Sequence, residues 1–514
     1  MKKAEVQMIE KKKNNKNQMY IFFVMLMFAV IICSNFFRMH FSQDTYCINV
    51  DYGYDRYIKH FLSIGRILGA VQMFITKKLN IPFETMVIGS SVSATILLTL
   101  SWFMLYSYTI KIAKIGENKK KQLLIAGITF SIIFNFCTFE TLVFAEAIVL
   151  AFSILCATLA SCVYTSNLKR KNIYTAILIF LTILAYQTST SLFLIITLVF
   201  IAFKNKGNIK EILKKSIYVG LIYGVSMILG LLITKFLGNY LNWVERETTL
   251  LSIKEMIQTI FKYLDFIVIK NFYIEPKGWN FIVIIFLTII FIAQVIKSKE
   301  YFHILEYIVL VALCCIIPIL PLMAIPIKDQ YMETRMAMVF GALAGTLLLY
   351  LILVMKADET KVIKDIISII TITLFVINSI YFIRSSSENI ATGYIDRNIA
   401  KSIIYNIEKY ERELKEYLIK KLQEIDKVIL YNTTSKGGMT AFNLSGIFSQ
   451  DTALYLDHYN ICVRAGNHCA KVLKEEINIK NTCRISLYFY NTKEEIDKLI
   501  EVLKDSKDLY KIVL

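Results

Sequence analysis

Three carboxylates stand out in the polar stretch that follows the chain's first apolar run. Asp44, Asp51 and Asp55 lie within Ser42–Asp55, interleaved with tyrosines, and a Gly65-Arg66 pair follows. Such acids could serve as general base toward an acceptor hydroxyl, or hold a divalent cation. Arg66 could grip a phosphate through its two-pronged guanidinium. The same acids read equally well as a solvated loop on an outer surface. Further along come Asn135, Glu140, Glu146, a Tyr186-Gln187 pair and Arg335 at the end of a polar loop. Acids for an acceptor and arginines for an anionic leaving group would suit transfer from a lipid phosphate. Glu140 and Gln187 are further candidates for that site.

The elements that must position these residues are apolar. The chain has 514 residues, 56% of them hydrophobic and only 19% charged, less charge than a soluble domain carries. Apolar runs cover 19–37, 87–110, 123–136, 142–164, 173–186, 191–203, 217–233, 281–296, 304–324, 336–355 and 366–383. Several fall short of the ~20 residues a helix needs to cross a bilayer. The pattern predicts a polytopic helical membrane protein of about eleven spans. The net charge of +18 follows largely from lysines in short loops, so it does not imply a nucleic-acid partner. Most of the ten cysteines sit in or beside apolar runs and no C-x-x-C occurs, which excludes a disulfide framework. Residues 19–37 follow a basic head but lack a small-x-small cleavage site, so they read as a retained span.

Lysine and arginine set the expected orientation. The connections 111–121, 169–171, 204–215, 297–299 and 356–364 are basic, whereas 137–141 and 187–190 carry no basic residue. If all eleven runs cross, the basic segment 1–18 is inside, and the long loops 38–86 and 234–280 are outside. Everything after Ile383 is then extracellular. In the second long loop, apolar residues from Ile253 to Ile267 follow helical spacing between Trp243 and Trp279. That spacing predicts a helix lying on the membrane or packed against the bundle. Residues 19–383 form the membrane domain and 384–398 read as a polar linker. Residues 399–514 read as a small α/β domain: a charged helix, strands at 428–431 and 440–444, a helix at 451–459, a strand at 484–489 and a helix at 492–503.

Two resemblances rest on particular motifs. The acidic loop after the first run, Gly65-Arg66, Tyr186-Gln187 and Arg335 resemble the GtrII family of membrane glucosyltransferases, over residues 19–400. That resemblance implies a GT-C-like glycosyltransferase moving glucose from a polyprenyl-phosphate donor to a cell-surface polysaccharide. Asp44, Asp51 and Asp55 would be its catalytic acids, and Arg66 and Arg335 would bind the donor phosphate. In the tail, Thr440-Ala-Phe-Asn-Leu-Ser-Gly-Ile, Arg464-Ala-Gly-Asn-His-Cys-Ala470 and Arg484-Ile-Ser-Leu-Tyr-Phe-Tyr-Asn-Thr-Lys-Glu-Glu-Ile resemble the C-terminal lobe of SufS-type cysteine desulfurases. These are pyridoxal-phosphate enzymes of the class V aminotransferase fold. The resemblance makes Cys469, next to His468, the persulfide-bearing cysteine, and Arg484 the anchor of the substrate carboxylate. Asn467 and Ile485 depart from the family pattern. No histidine precedes a lysine anywhere in the chain, so the Schiff-base His-Lys pair of that family is absent. That absence argues against pyridoxal phosphate and desulfurase activity, and for a glycosyltransferase carrying a captured lobe. Two other readings remain: a sulfur-transfer protein with a membrane anchor, and a lipid or solute transporter.

Overall fold

Why the chain divides as it does follows from its apolar pattern. In the computed structural model it forms two compact units, Met1–Gly393 and Tyr394–Leu514. The structure describes residues 2–40, 42, 45, 48, 53–116, 118–205, 208–241, 251–265, 285–292, 295, 338–354, 361–435, 437–468, 478–505 and 509, with side chains from 17 onward except at 264 and 339.

The first unit is helical. Its elements are α1 (Lys2–Cys33), α2 (Gly53–Ser63), α3 (Ile67–Lys78), α4 (Phe83–Ile112), α5 (Lys119–Ile133), α6 (Phe136–Phe139), α7 (Ala147–Thr165), α8 (Lys171–Ala185), α9 (Thr190–Lys204), α10 (Ile209–Tyr240), α11 (Ile253–Asp265) and α12 (Met338–Val354). The long helix α13 (Lys361–Gln423) begins in this unit. Helix α7 packs against α4, α8 and α9, and α12 against α5 and α9. Nearly every residue of α7 is buried, so its small residues can take neighbours at close range. Buried hydroxyls of Thr95, Thr99, Thr109, Thr129 and Thr346 donate to the carbonyl four residues earlier. That satisfies each hydroxyl without a polar neighbour.

Six helices are long and apolar enough to cross a membrane among the described residues, or seven if the bent pair α5–α6 counts as one span. This compares with eleven expected runs. Two runs survive only as shorter apolar helices, Lys171–Ala185 and Phe340–Val354. The run 304–324 lies outside the described residues, as do 281–284, 293, 294 and 296 of the run 281–296. The 53° bend between α5 and α6 has a local cause. Buried Asn135 accepts from the amides of Cys137 and Thr138 at 3.0 and 3.2 Å and donates to the Ile132 carbonyl at 3.0 Å. It ends one helix and caps the next.

The second unit is a four-stranded antiparallel sheet with helices on one face. Its strands are β1 (Val428–Leu430), β2 (Met439–Leu444), β3 (Arg464–Gly466) and β4 (Thr482–Ser486), in the order β1-β2-β4-β3. Phe442, Leu444, Cys483 and Ile485 point into a core with Leu414, Leu418 and Leu422 of α13. Tyr455 and Leu456 of α14 (Ser449–His458) and Ile496, Leu499 and Ile500 of α15 (Lys493–Lys504) complete it. The 384–398 stretch read as a linker is helical and part of α13. Arg384 pairs with Glu388 one turn on at 2.8 Å, and the Ser386 and Ser387 hydroxyls bond back to Ile383. Polar residues spaced this way support a helix as well as they suit a linker.

Candidate functional site

In the second unit, alternation along β2 and β4 decides which side chains are free for chemistry. Phe442 and Cys483 are partners across the strands and face the core. One residue away, Ala441 is opposite Arg484, and Arg484 is also opposite Arg464 on β3. Residues directly opposite share a face, so both arginines stand on the face away from the helices, and Ala441 leaves room beside them. Arg464 is exposed and Arg484 half-buried. The Nε of Arg484 is shielded from solvent and has no hydrogen-bond partner among the described residues. Two adjacent guanidiniums repel each other, and a bound carboxylate would relieve that repulsion through charge-assisted bonds. Arg464 is the functional candidate that motif reading passed over. Its signal was its place at the head of the Arg464–Ala470 motif, but β3 is only three residues long and has no alternation to reveal it.

Beyond β3 the chain turns. Gly466 and His468 have left-handed backbones, φ +130° and +51°, and the Nε2 of His468 donates to the Thr482 carbonyl at 3.0 Å. This bond ties the turn to the first residue of β4, two positions before Arg484. Cys469 comes next in sequence and lies outside the described residues. Below the sheet, Lys415 of α13 is 4% exposed. Its Nζ donates to the carbonyl and hydroxyl of Ser435, at 2.7 and 2.6 Å, and to the Gly437 carbonyl at 3.0 Å. Burial lowers its pKa, and its three acceptors make it a structural lysine.

In the helical unit, Asp55 is the one acid of the expected Asp44, Asp51 and Asp55 set that lies among the described residues. Asp44, Asp51 and Arg335 lie outside the described residues. Asp55, 75% exposed, pairs with Lys77 of the neighbouring helix at 2.6 Å, so it is a surface ion-pair partner. Arg66 turns to the interior instead. Its guanidinium lies 3.6 Å from Glu146, which is 2% exposed, and 4.8 Å from the centre of the Tyr186 ring. Gln187 donates to the Ile64 carbonyl at 3.0 Å. Gly65 stands between them at φ +77°, where a Cβ would collide with the Thr234 hydroxyl and the Gln187 amide. Sequence motifs 120 residues apart thus meet in one buried polar cluster. Glu140 opens a short 3-10 turn, Glu140–Leu142. His40, in the first loop, contacts the carbonyls of Arg38 and Leu142 at 2.8 and 3.1 Å, and burial lowers its pKa. No three His, Cys, Asp or Glu side chains gather as a metal site among the described residues.

The sheet and its paired arginines find their class in comparison with known proteins. Residues 390–499 match the family described as aminotransferase class-V, so the C-terminal region is class V aminotransferase-like and cysteine desulfurase-like. The chain is 38% identical over 104 residues to a probable cysteine desulfurase of Halalkalibacterium halodurans, covering 20% of this chain and 26% of that protein. It is 39% identical over 106 residues to a probable cysteine desulfurase of Staphylococcus aureus strain N315, with the same coverage. The chain therefore spans about a quarter of the length of the curated relatives it matches. Among solved structures, it is 29% identical to the apo cysteine desulfurase of Thermococcus onnurineus NA1, with a TM-score of 0.19, covering 26% of this chain and 30% of that one.

These findings correct two expectations. The glycosyltransferase reading fails, because the proteins the chain is similar to are cysteine desulfurases. The argument against desulfurase activity and pyridoxal phosphate fails with it, because the class V match implies that cofactor. A missing His-Lys pair was too narrow a ground, since the matched stretch is only one portion of a class V chain.

Proposed function

We propose that the protein is a membrane-anchored, pyridoxal-phosphate-dependent sulfur-transfer protein related to cysteine desulfurases. The observation that carries this reading is the pairing of Arg464 with Arg484 on the open face of the sheet. It is reinforced by the His468 turn, which ends one residue before Cys469. The six apolar helices support a membrane anchor.

In this reading, Arg484 holds the carboxylate of a cysteine substrate with a bidentate fork and Arg464 adds a second positive charge. The Cys469 thiolate attacks the substrate's sulfur and the substrate's carbon–sulfur bond breaks. The sulfur stays on Cys469 as a persulfide. The carbon fragment keeps the bonding electron pair, takes a proton and leaves as alanine. Pyridoxal phosphate, when bound, supplies an electron sink for the amino-acid carbons. The described residues of the lobe fit the substrate-binding side of this chemistry. Lys415 is committed to the loop before β2. The test is alanine release from cysteine by the full chain in detergent with added pyridoxal phosphate. Release that falls at least about tenfold in Arg484→Lys, which keeps the charge but loses the fork, supports the reading. No release above a protein-free control contradicts it.

A further inference from the structure

A groove of about 540 Å³ opens on the side of the helical unit, within the range of ~300–1,000 Å³ for small-molecule sites. One wall is a stripe of α1, Tyr20, Val24 and Phe28, at helical spacing over about 12 Å. Leu123 and Gly127 of α5 form the second wall, and Ile372 and Phe375 of α13 the third. Trp102 lies at its base, its indole donating to the Ala126 carbonyl at 2.9 Å. Phe28 stacks on Phe375 with ring centres 5.0 Å apart and closes the deep end. Tyr20, Val24, Leu123 and Ile372 are exposed although apolar, so the groove faces outward. Its other end meets Lys119, the first of three consecutive lysines that open α5. Lys119 has no ion-pair partner among the described residues.

We propose that this groove binds one acyl chain of an anionic phospholipid, with the headgroup phosphate on Lys119. The shape calls for a narrow hydrocarbon, and the charge at one end calls for an anion there. A lipid of the basic-loop side of a membrane supplies both. This site rests on the membrane placement proposed above but not on the sulfur chemistry. Trp102 is one of three tryptophans, so Trp243→Phe/Trp279→Phe leaves it as the sole reporter. The full chain carrying these changes is placed in mixed micelles with phosphatidylglycerol or phosphatidylcholine brominated on the acyl chain. The brominated anionic lipid should quench Trp102 at about fivefold lower mole fraction than the zwitterionic one, the effect of one lysine near a headgroup. Lys119→Gln should abolish the difference, and Val24→Phe, which narrows the opening, should weaken quenching by both lipids. Equal quenching by both headgroups would overturn the anionic site while leaving the membrane placement intact. No quenching by either would overturn the groove as a lipid site altogether.

Discussion

At the scale of single residues, the two units use charge in opposite ways. Arg66 is turned inward onto Glu146 and Tyr186, and such a buried pair is costly to break. Arg464 and Arg484 are left side by side on an open sheet face, an arrangement that favours an incoming anion. The position that allows Arg66 to turn inward is Gly65, whose left-handed backbone lies against Thr234 and Gln187. Gly65→Ala should lower stability by about 1–3 kcal/mol, from backbone strain and the collision together. Thr234→Ala in the same chain should recover part of that loss. Thermal unfolding of the detergent-solubilised protein checks both, and an unchanged midpoint for Gly65→Ala would contradict the packing. Gly65-Arg66 and Tyr186-Gln187 were each legible in the sequence as candidate site motifs. The fate of Asp55 was not, because its partner Lys77 lies 22 residues away on another helix, and nothing in the intervening residues announces an ion pair.

At the scale of elements, the lobe's last helix is fixed by a signal the sequence displays. Thr492 caps α15 by accepting from the Glu495 amide, and Glu495 accepts from the Thr492 amide at 3.1 Å. Thr492→Ala should cost about 1 kcal/mol, read as faster hydrogen exchange in the first turn of α15. The Asn491 side chain and the Thr492 amide hold the Glu495 carboxyl below its usual range. A depressed carboxyl stabilises the fold above its ordinary value of 4.5 and loses that contribution as pH falls below it. The exchange protection of this turn should therefore decline on acidification below that value in the parent. In Glu495→Gln that decline should be smaller, the remainder coming from Glu494, whose carboxyl is also held low by hydrogen bonds. The elements missed in the sequence failed for physical reasons. Strand β3 is Arg-Ala-Gly, with no β-branched residue, and is held by its pairing with β4. The 384–398 stretch looked like a linker because it opens on Arg384, three consecutive serines, Glu388 and Asn389. Its spacing nonetheless lets Arg384, Ser386, Ser387 and Thr392 bond within the helix.

At the scale of the whole molecule, apolar helices and a cysteine desulfurase-like lobe share one chain. Lysine placement predicts that the basic loops lie on one side of a membrane but does not give the number of crossings. Short runs such as Lys171–Ala185 are apolar yet under the spanning length. Persulfide chemistry needs reduced thiols, which a cytosol maintains and an exterior does not. The proposed function thus predicts that the lobe shares the side of the N-terminus, as an even number of crossings would give. Eleven crossings would instead place it outside. A phosphatase or fluorescent-protein reporter fused after Leu514 separates the two. Fluorescence without phosphatase activity fits the sulfur-transfer reading, and phosphatase activity would contradict it.

The most direct measurement is of the thiol itself. The full chain, purified in detergent and given cysteine and pyridoxal phosphate, is trapped with an alkylating reagent, digested and weighed peptide by peptide. The account predicts one added sulfur on the peptide bearing Cys469, lost in Cys469→Ser and strongly reduced in Arg484→Ala. A Cys469 peptide carrying no added sulfur under these conditions would contradict it.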